Sequence, residues 1–163
     1  MTDAKLRVCF VCSGNICRSP TAEGVFRKLV ADAGLAHAFH VESFGIGDWH
    51  VGERPDPRTL RAAEARGYRL ESRAKHWKAA HFDRFDYVVA MDRTHVASLV
   101  RLASNDATKA KISLALDHVA DGPRDADVPD PYYGELEGFD EVVDICVAAC
   151  TALLANVRAK HAL

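Results

Sequence analysis

Residues Leu6 to Val11 constrain the fold more than any other part of the chain, because the run is short, almost continuously apolar and rich in β-branched and aromatic residues. Such a run reads as a strand buried on both faces, and strands of that kind belong to parallel sheets covered by helices. After it the sequence breaks into a polar loop, Cys12-Ser13-Gly14-Asn15-Ile16-Cys17-Arg18-Ser19. From Pro20 the apolar positions Ala22, Val25, Phe26, Leu29, Val30 and Ala33 recur at helical spacing, with Pro20 in an allowed first-turn position and Gly34 as the stop. Strand, loop and helix make the first half of a parallel crossover unit.

The pattern repeats downstream. Phe39 to Phe44 reads as a second strand leading into the loop GIGDWHVGERPDP, after which Asp56 is placed as an N-cap, Pro57 as the first helical residue and Gly67 as the end. FDYVVAM (85 to 91) reads as a third buried strand, followed by a helix through Val96, Leu99 and Val100, and KISLAL (111 to 116) as a fourth. An acidic, proline-bearing loop from Asp117 to Gly134 precedes a long amphipathic helix, about Phe139 to Lys160, with Val142, Ile145, Cys146, Ala149, Leu153 and Val157 on one stripe. Alternation of this kind predicts a single-domain α/β fold over residues 1–163: a doubly wound, parallel, four-stranded sheet flanked by helices, with ligands bound beyond the carboxyl ends of the strands.

Composition narrows the function classes. A net charge of −2, from 21 basic and 23 acidic residues, gives no bulk attraction to nucleic acid or to an anionic membrane, so any anion site must be local. The chain is read as holding no stretch of about 18 apolar residues able to span a bilayer and no signal-peptide pattern at its N-terminus. The five cysteines form an odd set unlike a secreted disulfide framework, which fits a reducing, cytoplasmic setting. The eight histidines fall in no zinc-binding spacing, and no metal or cofactor is expected.

The first loop carries the chemistry. A short connection from a strand into a helix N-terminus turns successive backbone N–H groups inward and adds the positive end of the helix dipole, so Ser13 to Ser19 form an anion cradle. Neither G-x-x-x-x-G-K-[ST] nor G-x-G-x-x-G occurs, which excludes the usual nucleotide phosphate loops. Cys12 lies at the mouth of this cradle, beside a guanidinium and a helix N-terminus, in surroundings that favour a nucleophilic thiolate. Arg18 has the fork geometry to hold two oxygens of a phosphoryl group, and Ser19 can both open the helix and donate to the sulfur. Cys17 admits two readings, a backbone N–H in the cradle or a thiol that pairs reversibly with Cys12 under oxidation.

VCSGNICRSP (11 to 20) resembles the signature of the low-molecular-weight protein tyrosine phosphatases, bacterial ones in particular, and DWHVGERPDPR (48 to 58), FDYVVAMDR (85 to 93) and DVPDPYYG (127 to 134) resemble the family's further motifs in order. The resemblance covers nearly the whole chain. It implies hydrolysis of phosphotyrosine in proteins, with Cys12 as the nucleophile of a phosphocysteine intermediate, Arg18 as the phosphate clamp and Asp130 as general acid and then base. It also implies loop support from Asn15, Ser19 and Ser43, and a substrate cleft walled by Ile16, Trp49, Tyr132 and Tyr133. Ile16 stands where relatives acting on phosphoarginine tend to place threonine. Activity with Asp130 protonated and Cys12 deprotonated is expected to peak at mildly acidic pH. Asp117, Asp121, Asp125 and Asp127 are rivals for the acid by composition alone, but only Asp130 heads the Asp-Pro-Tyr-Tyr motif.

A binding or redox-sensing module would need the cradle without a general acid, so the joint presence of Cys12, Arg18 and Asp130 favours an enzyme. Cys146 and Cys150, at i, i+4 spacing in the last helix, read as core rather than as the resolving thiols of an arsenate reductase. One departure from the family stands at Ser72, where a histidine that supports the residue matching Asn15 is common; serine is shorter and leaves that support open, and nearby His76 is not assigned the role.

Overall fold

Strands β1 (Leu6–Cys12), β2 (Phe39–Gly45), β3 (Tyr87–Ala90) and β4 (Ile112–Leu114) form one sheet in the order β2-β1-β3-β4, and all three neighbouring pairs are parallel. The structure, a computed structural model, describes residues 4–163. Parallel neighbours need crossovers, and helices supply them: α1 (Arg18–Asp32) from β1 to β2, α2 (Pro57–Ala65) between β2 and β3, α3 (Arg93–Leu102) and the one-turn α4 (Asp106–Lys109) between β3 and β4. A final helix, α5 (Leu136–His161), packs along α1. The chain winds outward from β1 to β2 and then returns to β3, so the switch point lies at the carboxyl end of β1. The α/β, single-domain architecture read from the sequence is the one observed.

Alternation along β1 builds both faces of the core. Val8, Phe10 and Cys12 join Phe26 of α1 and Val142, Cys146, Ala149, Leu153 and Val157 of α5. Cys9 and Val11 point the other way, against Phe44, Trp77, Phe82, Phe85 and Leu99. The apolar run was continuous because both faces are covered.

Three features depart from the sequence reading. The third and fourth strands are shorter than their apolar runs, because residues 115–118 wind into a 3₁₀ turn and Phe85 and Met91 continue as buried loop. Residues 66–86 contain no strand or α-helix, yet they bury Trp77 beneath Phe44 and pair with the sheet through one bridge, Gly45 to His76. Finally, α5 is long and apolar enough to cross a membrane, with a mean hydropathy of 1.7 over its most apolar 18 residues, contrary to the expectation that no such stretch exists. Its alanines and cysteines extend the apolar surface beyond the stripe, and the stripe itself is buried against α1 and the sheet.

Candidate active site

The loop between β1 and α1 lies at the switch point, and its shape follows from three local facts. Asn15 takes a left-handed backbone conformation, φ 60°, which asparagine tolerates better than most residues. Cys17 stands at the N-cap of α1 with Arg18 as the first helical residue, so the loop's end meets the positive end of a fifteen-residue helix. Gly45, at the end of β2, carries no side chain, and a Cβ there would come within 3.0 Å of Gly14 C and Ser13 O. A side chain there would press on the loop backbone, whereas glycine leaves room for β2 to approach, with Ile46 and Gly47 donating backbone hydrogen bonds to the carbonyls of Cys12 and Ser13.

A chain of hydrogen bonds fixes which way protons point. The Asn15 carbonyl oxygen accepts from the Lys75 backbone N–H at 3.0 Å, which sets the amide so that its NH₂ donates to Ser43 Oγ at 2.9 Å and Ser19 Oγ at 2.7 Å. Ser43 in turn donates to Glu23 at 2.5 Å. Ser19, already an acceptor from Asn15, has its own hydrogen to give, and of its two acceptors Cys12 Sγ at 2.9 Å is nearer than the Phe44 carbonyl at 3.4 Å; its backbone N–H also approaches the sulfur, at 3.4 Å. The order Glu23, Ser43, Asn15, Ser19 therefore delivers a donor to the sulfur, and each link polarises the next. Asn15, Ser19 and Ser43 are all buried. The support left open by Ser72 comes from the Lys75 backbone; Ser72 itself lines a separate surface depression with Glu23 and Arg27.

Arg18, 4% exposed, is held from behind. Its Nη1 donates to Asp92 Oδ2 at 2.7 Å and to the Val128 carbonyl at 3.1 Å, while Nη2 approaches Ser13 Oγ at 3.5 Å and Asp130 Oδ2 at 3.6 Å. Burial alone would raise the Asp92 carboxyl, but hydrogen bonds from Thr94 and Arg18 together with nearby His95 outweigh it and hold the group below the usual carboxylate range. The loop bearing Asp130 is tied down three residues upstream. Arg93 grips Asp127 through its backbone N–H, Nε and Nη2 at 2.9 to 3.1 Å, and Val128 N–H donates to the Met91 carbonyl.

These groups open on one cleft of about 440 Å³, floored by Cys12, Ser13, Gly14, Cys17 and Arg18 and walled by Ile16, Trp49, His50, Asp130, Tyr132 and Tyr133. All the residues singled out from the sequence as catalytic or as walls meet here, and Asp117, Asp121, Asp125 and Asp127 do not line it. Trp49 and Tyr133 are 67% and 90% exposed at the rim, whereas most of Ile16 is buried beneath the loop against α2 and α5. Arg58, bound to Asp56 at the start of α2, donates to the Tyr132 carbonyl and lies 5.2 Å from its ring centre.

Sequence reasoning missed Glu23, Asp92, His95 and His50. A carboxylate just past the carboxyl end of β3 was a usable signal for Asp92; the other three carry none. His95 is 2% exposed and burial lowers it from an ordinary 6.5 to about 4, with Asp92, Asp130 and Asp127 opposing and Arg18 reinforcing the shift. In the unfolded chain the ring takes a proton below 6.5 but in the fold only below about 4. Stability from this group is therefore full above 6.5 and is lost as pH falls through that window, by about 3 kcal/mol in all. Thermal midpoints followed from pH 7 to 4 should fall more steeply in wild type than in His95→Gln.

The whole chain from residue 7 to 163 matches the family model of low molecular weight phosphotyrosine protein phosphatase. It is 50% identical over 155 residues to a low molecular weight protein-tyrosine-phosphatase of Streptomyces coelicolor, covering 93% of each chain. Among solved structures it resembles a protein tyrosine phosphatase from Entamoeba histolytica with Hepes in its active site, at a TM-score of 0.91 and 33% identity over 96% of this chain and 99% of that one. It also resembles YfkJ from Bacillus subtilis, at a TM-score of 0.89 and 38% identity over 96% and 97% of the two chains.

Proposed function

Because the chain belongs to the low molecular weight phosphotyrosine protein phosphatase family, we propose that it hydrolyses phosphotyrosine in proteins through a phosphocysteine intermediate, with Cys12, Arg18 and Asp130 doing the chemistry. The observation that carries this reading is the convergence on one cleft of a sulfur facing a hydroxyl donor at 2.9 Å, a buried guanidinium and a carboxyl 3.6 Å from it. A phosphate-binding module would use the first two and leave the third without a task.

In the first step the Cys12 thiolate attacks phosphorus while the P–O bond to the phenol breaks, and Asp130 gives its proton to the departing oxygen. The backbone N–H groups of the loop from Ser13 to Arg18 and the Arg18 fork hold the equatorial oxygens as charge moves across the phosphoryl group, while the Ser19 N–H stays on the sulfur. Asp92 and Val128 hold the guanidinium from behind through its Nη1. In the second step Asp130, now a carboxylate, takes a proton from water as the water attacks phosphorus, the S–P bond breaks, and the thiolate returns with phosphate as product. Ser19 supports the anion at both ends of the cycle.

The walls favour an aromatic ester. Trp49, Tyr132 and Tyr133 stand above the floor, so a flat phenyl ring spans the depth between rim and sulfur while phosphoserine is too short to seat its phosphate and fill the cleft. A nucleophilic thiol has to stay reduced, which supports a cytoplasmic setting. Phosphate release measured without metal, from peptides carrying phosphotyrosine, phosphoserine or phosphoarginine, should show phosphotyrosine preferred by at least about a hundredfold in kcat/KM. Preference for phosphoarginine would replace the substrate assignment, and phosphate binding without turnover would replace the enzyme with a binding module.

A further inference from the structure

We infer that the Ser13 side chain is a direct phosphate ligand and that buried His95 is the residue that aims it. The inference rests on the reading above that the cradle takes a phosphoryl group, and it concerns the Ser13 hydroxyl rather than its backbone N–H. His95 belongs to α3, far from the loop in sequence, yet its Nε2 lies 2.8 Å from Ser13 Oγ.

Hydrogen-bond bookkeeping fixes the direction of that contact. His95 Nδ1 accepts the Asp92 backbone N–H at 3.2 Å, so it bears no proton, and a neutral ring then carries its proton on Nε2. Ser13 Oγ must therefore accept from His95, and it is also approached by Arg18 Nη2 at 3.5 Å. With both lone pairs facing donors, the serine hydrogen is left to point elsewhere. Among the described residues it has no acceptor, and Ser13 lines the floor of the cleft beside Cys12 and Arg18. A phosphoryl oxygen seated there completes the set.

The three residues Ser13, His95 and Asp92 have the composition of a hydrolytic triad, but the proton order is reversed. Asp92 Oδ1 sits 3.3 Å from Nδ1 while accepting from Thr94 and from the His95 backbone, and Nδ1 is already an acceptor. His95 is a donor to Ser13 and cannot take its proton. Ser13 is accordingly a ligand and never a nucleophile.

The test is the affinity for inorganic phosphate, measured by calorimetry so that it does not depend on turnover, in wild type, Ser13→Ala, His95→Ala and the double variant. Ser13→Ala should weaken phosphate by roughly tenfold, as expected for a hydrogen bond to a charged group. His95→Ala should weaken it by several-fold in the Ser13 background and not at all when Ser13 is already alanine. Unchanged phosphate affinity in Ser13→Ala overturns the inference, as does an equal effect of His95→Ala in both backgrounds, which would mark His95 as a cap of α3 alone. Labelling of Ser13 by a fluorophosphonate would overturn the proton order. Should His95→Ala fail to fold, the Ser13→Ala arm still decides. Failure of the phosphatase reading itself would look different: phosphate binding intact and sensitive to Ser13, with no hydrolysis of any ester.

Discussion

Cys12→Ser is expected to lower turnover of p-nitrophenyl phosphate by roughly 10⁴-fold or more while leaving the fold and phosphate binding in place. The substitution replaces sulfur by a smaller atom in a pocket it already fills, so packing changes little, but an alcohol does not ionise where a thiol does. The donors that face the sulfur, Ser19 Oγ at 2.9 Å and Ser19 N–H at 3.4 Å, stabilise an anion and give a neutral hydroxyl little help. Steady-state rates beside a phosphate titration check both halves. Residual activity within about tenfold of wild type would remove Cys12 from the mechanism, because no positioning effect alone replaces a covalent nucleophile.

Asp130→Asn is expected to cost about 10²- to 10³-fold in kcat with phosphotyrosine and clearly less with p-nitrophenyl phosphate. The amide keeps the shape of the carboxyl and its place near Arg18, where the carboxylate oxygen now stands 3.6 Å from Nη2, but it has no acidic proton to give. Tyrosine's phenolate leaves poorly without that proton, whereas nitrophenolate is a stable anion that departs unaided. Equal losses with both substrates would show that another group protonates the leaving oxygen.

The fold was legible where hydrophobic period and burial coincide. The continuous run of β1 and the helical spacing of α1 are dictated by layers that cover both faces of the sheet, so sequence alone ordered the elements around the switch point. What stayed hidden has no periodicity. Residues 66–86 are irregular, and the Trp77 ring packs against Phe44 of β2 and Phe82 of the turn at residues 79–84, a setting with no sequence period. The start of α5 at Leu136 was obscured by the acidic and glycine residues of its first turn.

The site divides in the same way. Cys12, Arg18 and Ser19 lie within one loop and helix start, so their spacing carries the signal, and the Asp-Pro-Tyr-Tyr motif marks Asp130. Glu23, Asp92 and His95 meet the loop only through tertiary structure, across the helix face of α1 and the N-terminus of α3. The contact that stands in for a histidine at Ser72 is a backbone N–H, that of Lys75, and a backbone donor leaves no mark in the sequence.

The most direct test of the central claim is to mix Asp130→Asn with p-nitrophenyl phosphate, quench in acid during the first turnovers, and map the protein by mass spectrometry. Loss of the base that activates water should slow the second step, so the peptide containing Cys12 should carry the mass of one phosphoryl group, and the adduct should be absent in Cys12→Ser. Nitrophenolate release with no phosphoryl adduct, or an adduct on Ser13 or Ser19 instead, would contradict a phosphocysteine mechanism at Cys12.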